Sequence, residues 1–359
     1  RTSHYQDQLH SIRSSTFGCN RKGQTMEQSQ NRAPTNAEVI ASLTRLIAMF
    51  KKDEKSNQSP PQLSHYREIP SDVQKAYELL LQGTSLIHGT STKYTLVGKI
   101  VVDEQKKLAA DLLRGCELVG AATHVFLQDA SGCSRAVRHS AVQASLSIFV
   151  NVLRLVESFE DGTAMDKNVG AQKTGAVWES CDKILNKFLP QGNRNAIRRE
   201  IFTWTRECQD SMDEFQEMVD QGAAEEGAGD GAVEGENDDF FGDDDEQYSE
   251  LEMPMAKACL GVLKCSRGCM KISLETCEDM GRKLAETKDE KYLEFISKVH
   301  DLARPVGQGV TELGSMMYPP ILDSASDLGA QLNEQVEAIT ALQDYILGLE
   351  GLDKKEVEL

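Results

Sequence analysis

Residues 222–252 read GAAEEGAGDGAVEGENDDFFGDDDEQYSELE. The stretch holds acids from Glu225, Glu226 and Asp230 through Asp243, Asp244, Asp245, Glu246 and Glu250, glycines between them, and no Lys or Arg. Like charges repel, glycine adds chain entropy, and there is little apolar surface to bury, so the composition predicts an extended, solvated linker over 222–250. On both sides the pattern changes to long amphipathic helical periods with few prolines. The sequence therefore reads as all-α, with two helical bundles joined by an acidic flexible linker.

The whole chain sets the limits on that reading. Its 359 residues are enough for two domains with proper cores. Aromatic residues are only 6% and prolines number 9, which favours helices over strands. The net charge is −18, and Lys51-Lys52, Lys106-Lys107 and Arg198-Arg199 are isolated basic doublets. Direct binding of nucleic acid needs clustered cations, so it is not expected, and partners with basic surfaces are. The nine cysteines are odd in number and fall mostly inside helical patterns, which fits reduced thiols. No apolar run reaches the ~20 residues of a membrane span, so no membrane contact is expected.

Outward from the acidic stretch, the domains read as follows. Residues 1–33 are polar and unpatterned and form a disordered N-terminal segment. Residues 34–221 form an N-terminal bundle, 251–350 a C-terminal bundle, and 351–359 a charged tail. In the first bundle, Val39, Leu43, Leu46, Ile47 and Phe50 make one helical stripe. A second helix starts after Pro70, with Gly83 and Gly89 obscuring its end. Leu108, Leu112, Cys116 and Val119 mark a third helix, and Val137, Ala141, Ile148, Val152 and Leu155 a fourth. Val177, Trp178, Cys181, Ile184 and Leu185 mark the next. Ile197, Ile201, Trp204, Cys208 and Phe215 form a last stripe entering the linker, and its spacing does not say which half it packs with. Trp178, Trp204 and Phe215 are expected to be core anchors. After the linker, Met255, Cys259, Val262, Cys269 and Ile272 share a helix. Pro305 opens another, and the last carries Leu328, Leu332, Val336 and Ile346 up to Gly348.

Sites of chemistry are few. Cys265-x-x-x-Cys269 has helical spacing and no nearby His, so packed thiols explain it better than zinc. No phosphate loop, dinucleotide fingerprint or nucleophile elbow has its full set of glycines. No enzyme activity, cofactor or metal is expected. Ser249, in Tyr248-Ser249-Glu250-Leu251-Glu252, is a candidate phosphorylation site for an acidophilic kinase. It is equally a candidate cap for the helix that follows, whose start a phosphate would firm up through the helix dipole.

Several stretches in order resemble the cyclin-D-binding (Grap2 and cyclin-D-interacting) protein family. They are Ala176-Val-Trp178-Glu-Ser-Cys181 with Leu189-Pro190 and Asn195-Ala196, then Asp210-Ser-Met-Asp-Glu214-Phe-Gln-Glu-Met-Val219 entering the acidic break. Ala258-Cys259-Leu-Gly-Val262 to Cys269-Met-Lys-Ile272, and Met317-Tyr318-Pro319-Pro320, complete the set. The region before Pro70 departs from the family, and the C-terminal tail is shorter. The resemblance implies bundles of the vinculin, α-catenin and talin type. It also implies a non-enzymatic negative regulator of the cell cycle, which binds D-type cyclin and opposes cyclin-dependent kinase action on the retinoblastoma protein and downstream transcription. The partners it implies are D-type cyclin, a Grap2-type adaptor and helix-loop-helix transcription factors, in cytoplasm and nucleus. The competing expectation is a cytoskeletal or junctional adaptor of vinculin or α-catenin type.

Overall fold

The computed structural model describes residues 33–56, 69–97, 101–186, 189–223 and 247–357, and among them there is no strand. The expected disordered segment at 1–33 and most of the expected acidic linker fall outside the described residues. The helices are α1 (Asn36–Ser56), α2 (Ser71–Val97), α3 (Val102–Leu127), α4 (Arg135–Glu160), α5 (Lys167–Leu185), α6 (Asn193–Gln221), α7 (Met253–Thr287), α8 (Lys291–Ser315) and α9 (Ala325–Val357). Contacts divide the chain into two compact units, residues 1–196 and 197–359.

In the first unit α2, α3, α4 and α5 close a ring, each packing on the next and α5 returning to α2. α1 lies on the outside against α3 and α4. Local sequence starts these helices. Thr35 and Glu38 form a reciprocal box at the head of α1, the Thr35 N–H donating to Glu38 Oε2 at 2.8 Å and the Glu38 N–H to Thr35 Oγ1 at 3.3 Å. Ser134 Oγ accepts from the Val137 N–H at the head of α4, and Asp166 Oδ1 from the Asn168 N–H at that of α5.

α2 runs unbroken through Gly83 and Gly89 because one of those glycines is a packing site. A Cβ on Gly83 would stand 2.8 Å from the Gly115 carbonyl oxygen of α3, so the two helix backbones meet there with nothing between them. The core above and below is aliphatic and aromatic. Tyr77 meets Phe126 at 4.7 Å, Tyr94 meets Phe159 at 4.7 Å, and Phe50 of α1 meets Phe149 of α4 at 5.8 Å. One end of the ring is tied by buried polar groups. The Tyr77 hydroxyl donates to the Pro190 carbonyl at 2.7 Å. The Asn193 amide donates to the Gly132 carbonyl at 2.8 Å, and the buried Arg138 donates from Nε to the Cys133 carbonyl at 3.1 Å.

α4 has the extent its spacing predicts but is more apolar than the expectation of no membrane-length run allowed. By length and composition it is the one helix among the described residues that could cross a membrane, yet 56% of its apolar window is buried inside the bundle. That is how a core helix looks, and α4 packs on α1, α3 and α5.

In the second unit α7, α8 and α9 pack mutually. Gln335 of α9, 2% exposed, joins all three, its amide donating to Ser266 Oγ of α7 at 2.9 Å and to the Val306 carbonyl of α8 at 2.8 Å. α6 opens at Asn193 and lies in this second unit from Ile197 onward. This corrects the expected N-terminal bundle of 34–221. The α6 stripe packs on the helices after the acidic stretch, as Trp204 on Gly307 and Phe215 on Tyr318 show.

Two helix ends also differ from expectation. Pro305 sits inside α8 rather than opening a helix. Proline removes one helix hydrogen bond, but the buried row Phe295, Ile296, Val299, Ala303, Val306 and Val310 continues across it, so packing holds the helix together. α9 passes Gly348 and Gly351 and runs to Val357, into the expected charged tail.

Candidate protein-binding surface

Most groups that could do chemistry are buried in the packing. Cys116, Cys181, Cys208, Cys259 and Cys277 are buried and Cys265 is exposed. Burial pushes the Cys181, Cys208 and Cys277 thiols up to about 12 and Cys259 to about 11, so these four stay protonated and poorly nucleophilic. Among the described residues no three His, Cys, Asp or Glu side chains come together as metal ligands. The buried His300 sits under Trp204, ring centroids 5.8 Å apart, with its Nε2 2.7 Å from Glu200 Oε2. This pair lies inside the second unit, beneath the indole.

The expected anchors part company. Trp204 (7% exposed) and Phe215 (1%) are core residues of the second unit. Trp178 is not: it is 37% exposed. α5 turns Val177, Cys181 and Ile184 inward, and position 178 lies about 100° round the helix from Val177. A wide apolar stripe in the sequence therefore overran the true inward face. The Trp178 ring instead stacks on His88 of α2 with centroids 5.7 Å apart and planes 23° apart. His88 Nε2 in turn lies 3.8 Å from Asp182 Oδ1 of α5. The result is an outward aromatic pair with an acid beside it, across the α2–α5 seam. The seam is held beneath by Thr95 and Thr174, whose hydroxyls meet. Indole rings on a surface are a recurrent anchor in protein interfaces, large and rigid with a polar edge.

Ser249 enters α7 as a hydrogen-bond donor. Its N–H and its hydroxyl both point at Glu252 Oε2, at 3.0 and 2.9 Å, while its carbonyl accepts from the Glu252 and Met253 N–H groups. The other oxygen of Glu252 accepts the Leu322 N–H at 3.1 Å. Tyr248, fully buried, donates its hydroxyl to the Met317 carbonyl at 2.7 Å. Ser249 therefore does not cap α7 with its side chain: the N-cap position is Glu252, which makes no side-chain cap hydrogen bond, and the Ser249 hydroxyl serves to hold the Glu252 carboxylate. A phosphoryl group on Ser249 Oγ would meet the Glu252 carboxylate, so the expected gain from the helix dipole is opposed by a like charge 2.9 Å away. The sequence held the signal for this in Ser249-x-x-Glu252, the spacing of a capping box.

The sequence did not signal the exposed position of Trp178, nor the stacking of His88 on it. Only the inward phase of α2 and α5, taken from the structure, reveals the pair.

Comparison with known proteins follows the chain across both units. Residues 79–221, from within α2 to the end of α6, match the N-terminal region of the Grap2 and cyclin-D-interacting family. A Xenopus laevis protein described as cyclin-D1-binding protein 1 homolog is 23% identical over 242 residues, which cover 67% of this chain and 70% of that protein. Over residues 79–221, less than half of its length, the chain is thus similar to the Grap2 and cyclin-D-interacting family.

Proposed function

We propose that this protein binds a D-type cyclin through direct contacts, without catalysis, and so restrains cyclin-dependent kinase action on the retinoblastoma protein and the transcription that follows. The observation that carries the reading is the family match over 79–221, together with a relative described as binding cyclin D1. The exposed Trp178–His88 pair lies inside the matched region and supplies a surface anchor of the kind a protein partner uses. Grap2-type adaptors and helix-loop-helix transcription factors are the further partners in this proposal, and cytoplasm and nucleus the places where it would act. Bundles of the vinculin and α-catenin type also serve as cytoskeletal or junctional adaptors, and the all-α fold leaves that as the competing reading.

Pull-down with the full chain separates the two. Recovery of D-type cyclin, reduced at least about tenfold by Trp178→Ala with the melting temperature nearly unchanged, supports the proposal and the Trp178 face together. Recovery unchanged by Trp178→Ala keeps the cyclin and removes the face. Recovery of actin or talin instead of cyclin replaces the regulator with the adaptor.

A further inference from the structure

The chain carries −18 overall, but its acids are not evenly spread. No Asp or Glu occurs in Val39–Lys52 or in Ala130–Val156. A chain with 57 acids among 359 residues would place about six on stretches of that combined length. These two acid-free stretches make up most of α1 and α4, and α1 packs directly on α4. Along their junction runs an open cleft of about 410 Å³ with no acid among the described residues that line it.

The cleft has three kinds of wall. Lys51 of α1 and Arg154 of α4 supply positive charge. Both are exposed, and neither has an acidic partner among the described residues. Leu146 and Val150 supply an apolar floor. Ser147 and Asn151 supply a polar side that is already held in place. The Asn151 amide donates to Ser180 Oγ at 2.6 Å and to the Ala176 carbonyl at 3.2 Å, and the Ser147 and Ser180 hydroxyls lie 3.1 Å apart. The lining on α4 extends from Gln143 to Arg154. At 1.5 Å per residue that is about 16 Å, the length of roughly five extended residues. A compact anion would need a tight nest. A long groove with charge at its rim and leucine in its floor suits a peptide carrying carboxylates around an apolar side chain.

We infer that the α1–α4 cleft docks an acidic segment of a partner protein, with Lys51 and Arg154 taking its carboxylates. Arginine presents a fork that matches a carboxylate with two parallel hydrogen bonds. Two cations with no acidic partner among the described residues, beside a low-dielectric wall, focus potential at the groove, against the negative charge of the chain as a whole. The cleft thus accepts what the remaining surface repels. The inference does not rest on the cyclin reading and survives its failure.

The test is fluorescence polarisation of a labelled peptide, Glu-Glu-Leu-Glu-Glu-Leu-Glu-Glu, against the full chain at low salt. Saturable binding is expected, weakening as salt rises. The double variant Lys51→Glu with Arg154→Glu is expected to bind at least about tenfold more weakly, and Lys271→Glu, an exposed cation of the second unit, to bind as wild type does. Should the charge reversal disturb folding by circular dichroism, the neutral pair Lys51→Gln with Arg154→Gln takes its place. Equal binding by wild type and double variant overturns the inference, as does absence of saturable binding. Vesicles of phosphatidylserine form the last arm: a chain that binds them through Lys51 and Arg154 while ignoring the peptide also overturns it.

Discussion

Trp204→Ala is the perturbation with the sharpest expected signature. The indole is 7% exposed, stacks on His300, and lies so close over Gly307 that a Cβ there would come within 2.8 Å of Trp204 Cβ and closer still to the ring. A tryptophan buries on the order of 150–250 Å². At about 25 cal/mol per Å² that is roughly 4–6 kcal/mol, an upper value because the unfolded chain hides part of the area already. Truncation to alanine in a core costs ~3–5 kcal/mol, in line with that. Gly307→Ala alone drives a methyl into the indole and should cost about 1–3 kcal/mol. In the double variant the clash with the ring is gone and only the 2.8 Å approach of the two Cβ atoms remains. The double should then cost less than the sum of the two single changes, a coupling of about 1–3 kcal/mol. Urea unfolding of the full chain measures all four corners. Trp178 in the first unit and Trp204 in the second let fluorescence assign the transitions, with Trp178→Phe as the background in which only Trp204 reports. Additive costs, or a loss below about 1 kcal/mol for Trp204→Ala, would refute the close packing of α6 on α8.

Glu252 makes stability depend on acid. Burial opposes its ionisation, but the hydrogen bonds from Ser249 and Leu322 outweigh burial and hold its carboxyl below the usual range. A depressed folded value means the stabilisation is complete above the unfolded pKa of about 4.3 and is lost as pH falls through the folded value. The melting temperature of wild type should therefore exceed that of Glu252→Gln at pH 6, with the gap closing towards pH 3; a gap that does not change with pH would remove Glu252 as its source. Chains 1–223 and 247–359, co-expressed with a tag on one, should purify together because α6 supplies a wall of the second unit, and Trp204→Ala should loosen the pair. Fragments that run separately would show that α6 has no seat there.

The residues that were legible are those whose burial follows a single helix period. Val39, Leu43 and Phe50, or Val137, Ile148 and Val152, are inward in the structure as their spacing predicts. What was not legible depends on a partner helix. Gly83 and Gly89 left the end of the second helix uncertain in the sequence, whereas the Gly115 backbone opposite is what requires the first of them. Pro305 reads as a start because proline lacks its N–H, but a row of buried side chains on both sides of it outweighs one lost hydrogen bond. Gln335 carried no signal in the sequence, and the opposed Ser266 hydroxyl and Val306 carbonyl are what satisfy its amide when buried. Trp178 is the reverse case: an aromatic residue one position off the inward row, where hydrophobicity alone says nothing about phase.

The boundary between the units shows why a change in composition is not a change in contacts. The acidic stretch after Gln221 is the most abrupt change of chemistry in the chain, and it invites a cut there. Packing answers a different question, namely which apolar stripe still lacks a partner. The ring of α2 to α5 is closed on itself, with α1 on its outer side. α7, α8 and α9 form a three-helix group whose α8 presents Gly307, a position with no side chain of its own, and whose neighbour Tyr318 offers a ring edge. Ile197, Ile201, Trp204, Cys208 and Phe215 are all buried along α6. A stripe of that size must be covered, and the bare backbone of Gly307 is where its largest side chain fits. A domain cut at the acidic stretch would therefore leave Trp204 and Phe215 uncovered on one fragment and a vacant groove on the other, while a cut between Ala196 and Ile197 would keep the Asn193 tie with the first unit and the α6 stripe with the second.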